Sequence, residues 1–120
     1  MRRKIFLSNS REAISVDIEH ILAFSTTADR RINMKYTDDG KVKDFEFKCT
    51  LDRLQKLLPD KEFLRVHKGF LVSAYHIRKI DHDGITLDVG AVKVPVGRNY
   101  NCFRNQMEQG YVEIITLGQE

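Results

Sequence analysis

The segment from residue 61 to residue 104 is rich in basic and amide side chains. It contains eight lysines and arginines but only four aspartates and glutamates. Within this segment, Arg98 and Asn99 follow Val94-Pro95-Val96-Gly97, a valine-rich stretch that ends in a turn. Arginine donors match O6 and N7 of guanine, and an asparagine amide matches N6 and N7 of adenine. The pair could therefore read base edges in duplex DNA. The alternatives are that Arg98 caps or pairs at a helix start, and that the basic segment is a solvated surface.

Catalytic chemistry has little support in this sequence. It lacks GxSxG, HExxH and glycine-rich phosphate-loop motifs, which would indicate a nucleophile, a metal or a bound nucleotide. His76 and the segment 81–83 resemble a loose ligand set, but a hairpin turn needs polar residues there anyway. Cys49 and Cys102 have neither CxxC spacing nor a nearby histidine. We therefore predict that the protein is not an enzyme and binds no metal or cofactor.

The composition predicts one domain with a modest core. The 120 residues are 42% hydrophobic, and no Pro/Ser/Gly-rich linker divides them. The formal charge of +3 comes from 20 basic and 17 acidic residues, a mixed surface that permits a polyanionic partner without requiring one. No apolar run is long enough for a membrane span or a signal peptide. We expect a cytoplasmic protein without membrane contact and with reduced thiols.

The first half of the chain favours β structure followed by a helix. Residues 32–36 and 42–47 alternate apolar and polar side chains around an Asp-Asp-Gly turn, which predicts a hairpin. Thr50 precedes leucines at three-to-four spacing and Pro59 ends the run, so a short helix with Thr50 as N-cap is predicted. Three short strands, or two strands and a turn, are predicted from the apolar pieces at 5–7, 13–16 and 21–24.

The second half returns to strands. Asp83-Gly84 tolerates the positive φ of a tight hairpin turn. Val92, Val94 and Val96 predict a further strand. Because Pro95 cannot donate a hydrogen bond to a ladder, this strand is expected at a sheet edge or with the backbone nitrogen of Pro95 facing outward. Residues 99–109 predict a helix that ends at Gly110, and 111–118 could add a strand, pair with another copy or fray. The other predicted strands are 63–67, 70–72, 77–82 and 85–89. Core positions, rather than base-stacking platforms, are predicted for Phe6, Phe24, Phe63, Phe70 and Leu71.

One segment carries a family resemblance. Residues 63–72, FLRVHKGFLV, followed by Ile77, Ile80, the Asp83-Gly84 turn and Val94-Pro95-Val96-Gly97-Arg98, resemble the core of the LytTR DNA-binding domains. The resemblance covers residues 4–107 and is strongest over 62–101. It implies a mainly β fold, an elongated set of antiparallel sheets with one or two short helices and a C-terminal helix. We expect a LytTR-type domain over 1–110 and a C-terminal extension over 111–120.

The resemblance also implies which residues contact DNA. In this family loops of the β scaffold, not a recognition helix, enter the major groove, and the residue after the histidine of F-x-R-V-H makes a contact. Here that residue is Lys68, and Gly69 departs from the more usual serine. A further loop corresponds to 25–31, where Arg30 or Arg31 is the candidate and an exposed loop with ordinary charges is the alternative. Arg98 and Asn99 complete the base-reading set, and His67 is interpreted as a structural residue holding its loop.

Four further basic residues are candidates for phosphate contacts, which position a protein without specifying sequence. They are Arg65, Arg78, Lys79 and Lys93. Strand alternation would send Arg78 and Lys79 to opposite faces, so about half of the four are expected to face DNA on that argument.

The function implied by the resemblance is sequence-specific binding of double-stranded DNA for transcriptional regulation. Repeated half-sites and a homodimer on DNA are expected from the same source. The family commonly joins this domain to a receiver domain, so the sequence is either part of a response regulator with a receiver domain outside this chain or a regulator that lacks that input module. Two alternatives stay open at this point. One is a β-rich protein-interaction or sensory module, and the other is an OB-like single-strand binder, which would need exposed aromatic side chains in a basic groove.

Overall fold

The computed structural model describes residues 3–59, 62–88 and 92–97. These residues form three antiparallel sheets and one short α-helix. The mainly antiparallel, multi-sheet fold class predicted from the sequence is confirmed. The predicted helix at 99–109 and the segment 111–118 lie outside the described residues. No helix in the described ranges is long and apolar enough to cross a membrane.

A two-stranded sheet opens the fold. β1 (Lys4–Ser8) pairs with β2 (Ala13–Asp17), so the three-strand alternative for the first 26 residues is the correct one. Leu7 and Val16 are buried on the inner face of this hairpin. The prediction that Phe6 belongs to the core is wrong, because its side chain is 73% exposed. Successive strand residues point to opposite faces, and only one face of this hairpin packs on the rest of the protein.

The central sheet has five strands in the order β5-β4-β3-β7-β6. The hairpin of β4 and β5 turns at Asp39 and Gly40, whose φ angles of 51° and 76° are those that an Asp-Gly turn supplies. The predicted hairpin is therefore confirmed. The five strands are β3 (Ile21–Thr26), β4 (Ile32–Asp38), β5 (Lys41–Phe47), β6 (Phe63–His67) and β7 (Phe70–Ser73).

The α-helix after Thr50 forms as the sequence predicts. α1 (Leu51–Leu57) begins after Thr50, whose side chain accepts a hydrogen bond from the backbone N–H of Arg53. This bond satisfies one of the amides that a helix start leaves without a partner. Leu51 and Leu54 are buried, and the helix ends at the residues before Pro59. Proline disfavours helical geometry in the residue before it, which explains the stop.

A three-stranded sheet covers the other side of the central sheet. Its order is β10-β9-β8, formed by β8 (Ile77–Asp81), β9 (Gly84–Leu87) and β10 (Lys93–Val94). Two differences from the sequence prediction appear. The hairpin loop is His82-Asp83 rather than Asp83-Gly84, because Asp81 pairs with Gly84. The last strand is shorter than 92–96, since Pro95 cannot donate to a ladder, and it lies at the sheet edge as predicted.

The central sheet separates two hydrophobic clusters. On one face, the β1–β2 hairpin and α1 pack against side chains that include Phe24, Met34 and Phe63. On the other, β8–β10 pack against side chains that include Leu22 and Val72. The strands β3 and β7 are largely buried on both faces, so the connections at their ends begin from well-packed residues.

Candidate nucleic-acid interface

Three connections meet at one end of the five-stranded sheet, which we call the loop end. They are residues 27–31, 48–50 and 68–69, which follow β3, β5 and β6. Because neighbouring strands are antiparallel, the end of β3 lies beside the start of β7, with Ser25 opposite Phe70. The backbone N–H of Thr26 donates to the carbonyl oxygen of Gly69 over 3.1 Å. Two loops predicted to contact DNA are thus fastened to each other.

The 27–31 loop is closed by its own hydrogen bonds. The backbone N–H of Thr27 donates to the Arg31 carbonyl over 2.8 Å, and the N–H of Arg30 donates to the Thr27 carbonyl over 3.1 Å. The Thr27 hydroxyl oxygen accepts from the Arg31 N–H. Arg30 has a φ of 61°, a left-handed conformation that is uncommon for residues other than glycine. Both Arg30 and Arg31 are exposed, so a constrained backbone presents two guanidinium groups to solvent.

The 68–69 loop is held by a histidine and an arginine. Nδ1 of His67 accepts a 3.0 Å hydrogen bond from the backbone N–H of Gly69, which fits the structural role predicted for this histidine. Nη2 of Arg65 donates to the Lys68 carbonyl over 2.6 Å, and its Nε donates to the His67 carbonyl over 3.0 Å. The Lys68 side chain itself is exposed. Its backbone is therefore fixed while its ammonium group remains available.

Arg65, one of the four candidates for phosphate contacts, uses its donors within the protein. Its side chain is only 14% exposed, and beyond the two carbonyls its Nη1 donates to Asp52 and Gln55 of α1 over 3.0 and 3.1 Å. The donors of the planar guanidinium group are thus used in hydrogen bonds within the protein. It ties the helix to the loop that carries Lys68.

Gly69 is explained by the closeness of the two loops. A Cβ built at this position would lie 3.0 Å from the Thr26 hydroxyl oxygen and 3.6 Å from Nδ1 of His67. The departure from the family's more usual serine therefore suits the short Thr26–Gly69 approach. A serine here would require the Thr26 side chain to move by a few tenths of an ångström.

The chain returns to the loop end at Gly97. Its backbone N–H donates to the Val66 carbonyl over 2.8 Å, beside the outer edge of β6. Arg98 and Asn99 come directly after Gly97 in the sequence, but they lie outside the described residues. Their contacts stay a prediction.

Arg78 and Lys79 lie elsewhere, on β8 of the three-stranded sheet. Both are exposed, and the alternation argument for them does not apply because a register shift interrupts the strand between Ile77 and Lys79. The Lys79 ammonium is 3.5 Å from Asp81. The backbone N–H of Asp83 donates to the Asp81 carboxylate. This bond lowers the pKa of the Asp81 carboxyl group, and the nearby charges of Lys93 and Lys79 act in the same direction.

Sequence reasoning does not single out two other exposed basic residues near the loop end, Arg11 and Lys48. Lys48 follows β5, whose final residue Phe47 pairs with Ile32 next to Arg31. Arg11 lies in the β1–β2 connection, which Asn9 fastens to the Glu46 carbonyl. The position of Lys48 beside Arg31 could have been found from the register of the predicted β4–β5 hairpin. The position of Arg11 depends on a contact between distant segments.

One cavity in the described part of the protein lies away from the loop end. It encloses about 550 Å³ between Arg3, Ile18, Phe63 and Tyr75. Arg3 pairs there with Glu62, which raises the pKa of the guanidinium group through their hydrogen bonds. Among the described residues, no group of three or more histidine, cysteine or carboxylate side chains could hold a metal.

Constrained loops with exposed basic tips on a β scaffold are suited to binding nucleic acid. Comparison with known proteins agrees, since the model of the LytTr DNA-binding domain family matches residues 11–108. The chain belongs to this family and is therefore a DNA-binding domain of the kind found in response regulators. Membership in a DNA-binding family also argues against an enzyme.

Two relatives illustrate the membership. The chain is 30% identical over 105 residues to the sensory transduction protein LytT of Bacillus subtilis, covering 82% of this chain and 41% of that protein. The chain thus spans less than half of this relative's length. In structure it resembles the LytTr DNA-binding domain of a Bacillus cereus protein described as a methyl-accepting/DNA response regulator. The TM-score is 0.69 with 21% identity, over 87% of this chain and 94% of that one, a likeness of fold.

Proposed function

We propose that this chain binds double-stranded DNA sequence-specifically and regulates transcription, reading major-groove bases with the loops of the loop end. The observation that carries the proposal is the Thr26–Gly69 hydrogen bond, which joins the loops of Arg30, Arg31 and Lys68 into one surface. A base-reading side chain must start from a fixed backbone, because an error of about 1 Å misplaces its donors.

The roles follow from donor geometry. Arg98 would bind O6 and N7 of a guanine with two parallel hydrogen bonds, and Asn99 would do the same at N6 and N7 of an adenine. A second set of bases in the major groove would be contacted by Lys68 and by either Arg30 or Arg31. Arg78 and Lys79 are proposed phosphate contacts, which would bind every sequence about equally.

The assembly belongs to the same proposal. Two copies would bind repeated half-sites as a homodimer on DNA, and the chain would act in the cytoplasm without a cofactor. A receiver domain outside this sequence would supply the input, and the greater length of the Bacillus subtilis relative supports additional domains. The division into a domain over 1–110 and an extension over 111–120 is also a proposal.

The test is selection of bound duplexes from a random-sequence pool by wild type, Arg98→Ala and Lys41→Ala. Lys41 is an exposed lysine at the opposite end of β5 from Phe47 and serves as the matched control. Wild type and the control should enrich a repeated motif. Arg98→Ala should blur one position of that motif, at a cost of roughly 1 to 3 kcal/mol for the preferred base.

Three outcomes would overturn parts of this function. Unchanged base preference in Arg98→Ala would remove Arg98 from the reading set. Enrichment of single strands instead of duplexes would indicate an OB-like binder. A failure of wild type to enrich any duplex, combined with little salt dependence of its binding to partners, would favour a protein-interaction module.

A further inference from the structure

The β1–β2 connection is built into the loop end by one asparagine. Nδ2 of Asn9 donates to the Glu46 carbonyl over 2.7 Å, which fastens the connection to the outer edge of β5. Oδ1 of Asn9 accepts from the backbone N–H groups of Arg11 and Glu12 over 2.9 and 3.0 Å. A fourth bond joins the Asn9 N–H to the Glu12 carbonyl. The backbone of Arg11 is thus held in place while its side chain is exposed.

Lys48 lies on the same flank for a topological reason. Ile32 pairs with Phe47 at the last rung of the β4–β5 ladder, so Arg31 and Lys48 are the next residues beyond that rung. Arg31 and Arg11 line one shallow cleft of about 540 Å³, together with Asn33 and Glu46. The flank therefore carries three exposed basic residues: Arg11, Arg31 and Lys48.

The distance across the loop end decides what such a flank could contact. Four strand spacings separate β5 from β6, which is roughly 19 Å at about 4.8 Å per strand. Along duplex DNA this corresponds to about six base steps of ~3.4 Å each. Side chains beside β5 would therefore lie within one helical turn of Lys68, close to the backbone that borders the bases read by the loops.

The local charges favour single contacts to phosphates rather than a deep anion site. Glu12 and Glu46 are exposed on this flank. The carboxylate of Asp44 accepts from Lys35 and Asn33 over 2.8 and 2.9 Å, so its charge is compensated within the protein. Three exposed cations thus share this flank with Glu12 and Glu46, and Asp29 is exposed in the adjoining 27–31 loop. With the charges close to balance, exposed guanidinium and ammonium groups suit single contacts with the DNA backbone.

We infer that Arg11 and Lys48 form a phosphate-binding flank that extends the DNA footprint beyond the base-reading loops on the β5 side. The inference rests on the proposed function and deepens it. The ligand is the sugar-phosphate backbone of duplex DNA, and the contacts carry no base preference of their own.

The test measures affinity against salt for Arg11→Gln and Lys48→Gln, on the selected duplex and on a scrambled duplex. Each lost phosphate contact should reduce the slope of log affinity against log salt by about 0.9. Wild type and each variant should both lose affinity between about 50 and 200 mM salt, and the factor lost should be roughly 3.5 times smaller for each variant than for wild type. Both duplexes should weaken by the same factor, which leaves the sequence preference unchanged.

Two further variants sharpen the result. Lys41→Gln removes the same charge from the other end of β5 and should keep the wild-type slope. Asn9→Ala retains Arg11 but removes the three side-chain bonds of Asn9 that hold the connection, so it should lower affinity for both duplexes. The thermal midpoints of Arg11→Gln and Lys48→Gln should stay at the wild-type value. Wild-type slopes in both glutamine variants, or a changed base preference in either, would overturn the flank.

The failure of the flank and the failure of the proposed function are distinguishable. If wild type selects a motif that Arg98→Ala blurs, but the flank variants bind like wild type, only the phosphate-binding flank is wrong. If wild type binds no duplex at any salt concentration, both fall together.

Discussion

Replacing Arg65 separates a residue that positions a DNA contact from one that makes it. Arg65 donates four hydrogen bonds, to the carbonyls of His67 and Lys68 and to Asp52 and Gln55. Arg65→Lys keeps the positive charge and most of the aliphatic stem, but one ammonium group cannot reproduce a fork of donors. The backbone of Lys68 should lose its anchor while the Lys68 side chain stays intact.

The magnitude follows from which bonds matter. The contact with Asp52 is weak, because that carboxylate is 85% exposed and exposed ion pairs contribute ~1 kcal/mol or less. The bond to the His67 carbonyl lies in a partly buried site, where a charged donor contributes about 1.5 to 3 kcal/mol. The bond to the Lys68 carbonyl is exposed and contributes about 0.5 to 1 kcal/mol. We expect Arg65→Ala to lower the free energy of unfolding by about 2 to 4 kcal/mol and Arg65→Lys by about half of that. Urea denaturation measures both.

The DNA assay is a double-mutant cycle between Arg65→Lys and Lys68→Ala, measured on the selected duplex. If Arg65 acts by holding Lys68, the double variant should bind no more weakly than Lys68→Ala alone, since the two changes remove the same contact. Additive losses, or a salt slope lower in the double variant than in Lys68→Ala by about 0.9, would refute the reasoning. Either result would mean that Arg65 contacts a phosphate itself, as the sequence alone suggested.

Two other predictions concern stability. Gly84→Ala should destabilise the fold by about 2 to 4 kcal/mol, because Gly84 has a φ of 132° and its Cβ would lie 2.4 Å from the Val94 carbonyl oxygen. The control Gly40→Ala, with a φ of 76° and no neighbouring atom within 4 Å, should cost about 1 to 2 kcal/mol; equal losses in chemical denaturation would contradict the argument. For Asp44, the hydrogen bond from Lys35 lowers the pKa of the carboxyl group, so its ionised form stabilises the native state above the ordinary value of about 3.9. Asp44→Asn should therefore be less stable than wild type at pH 7 by ~1 kcal/mol or less, and the gap should close as the pH falls through the lowered pKa; a gap of the same size in strong acid would argue against the pair.

The local elements could be predicted because their causes are local. Thr50, the leucine spacing and Pro59 define α1 through a cap, a period and a stop, and all three act within one short segment. Asp39-Gly40 sets its hairpin because those residues accept positive φ. The motif at 63–72 likewise points to the family from the sequence alone, and with it to the mainly antiparallel fold.

The errors arose where a property depends on what packs against a residue. Phe6 alternates correctly for a strand, but only tertiary structure decides that its face of the hairpin has nothing packed on it in the described part of the protein. Packing also decides which of the four phosphate candidates is available, because α1 and the 68–69 loop occupy the donors of Arg65. The register shift at β8 depends on its pairing with β9, which the sequence of β8 does not reveal.

The sequence by itself determined the kinds of elements, the family and the basic residues available for DNA. Those follow from side-chain periodicity, turn chemistry and a motif, each encoded over a few neighbouring residues. Only the tertiary structure decided which basic residues share a surface. The bond between Thr26 and Gly69 joins the loops that carry Arg31 and Lys68, and Asn9 fastens the connection that carries Arg11 to β5. Contacts between residues distant in sequence arise from the packing of whole elements, and a local pattern cannot specify them.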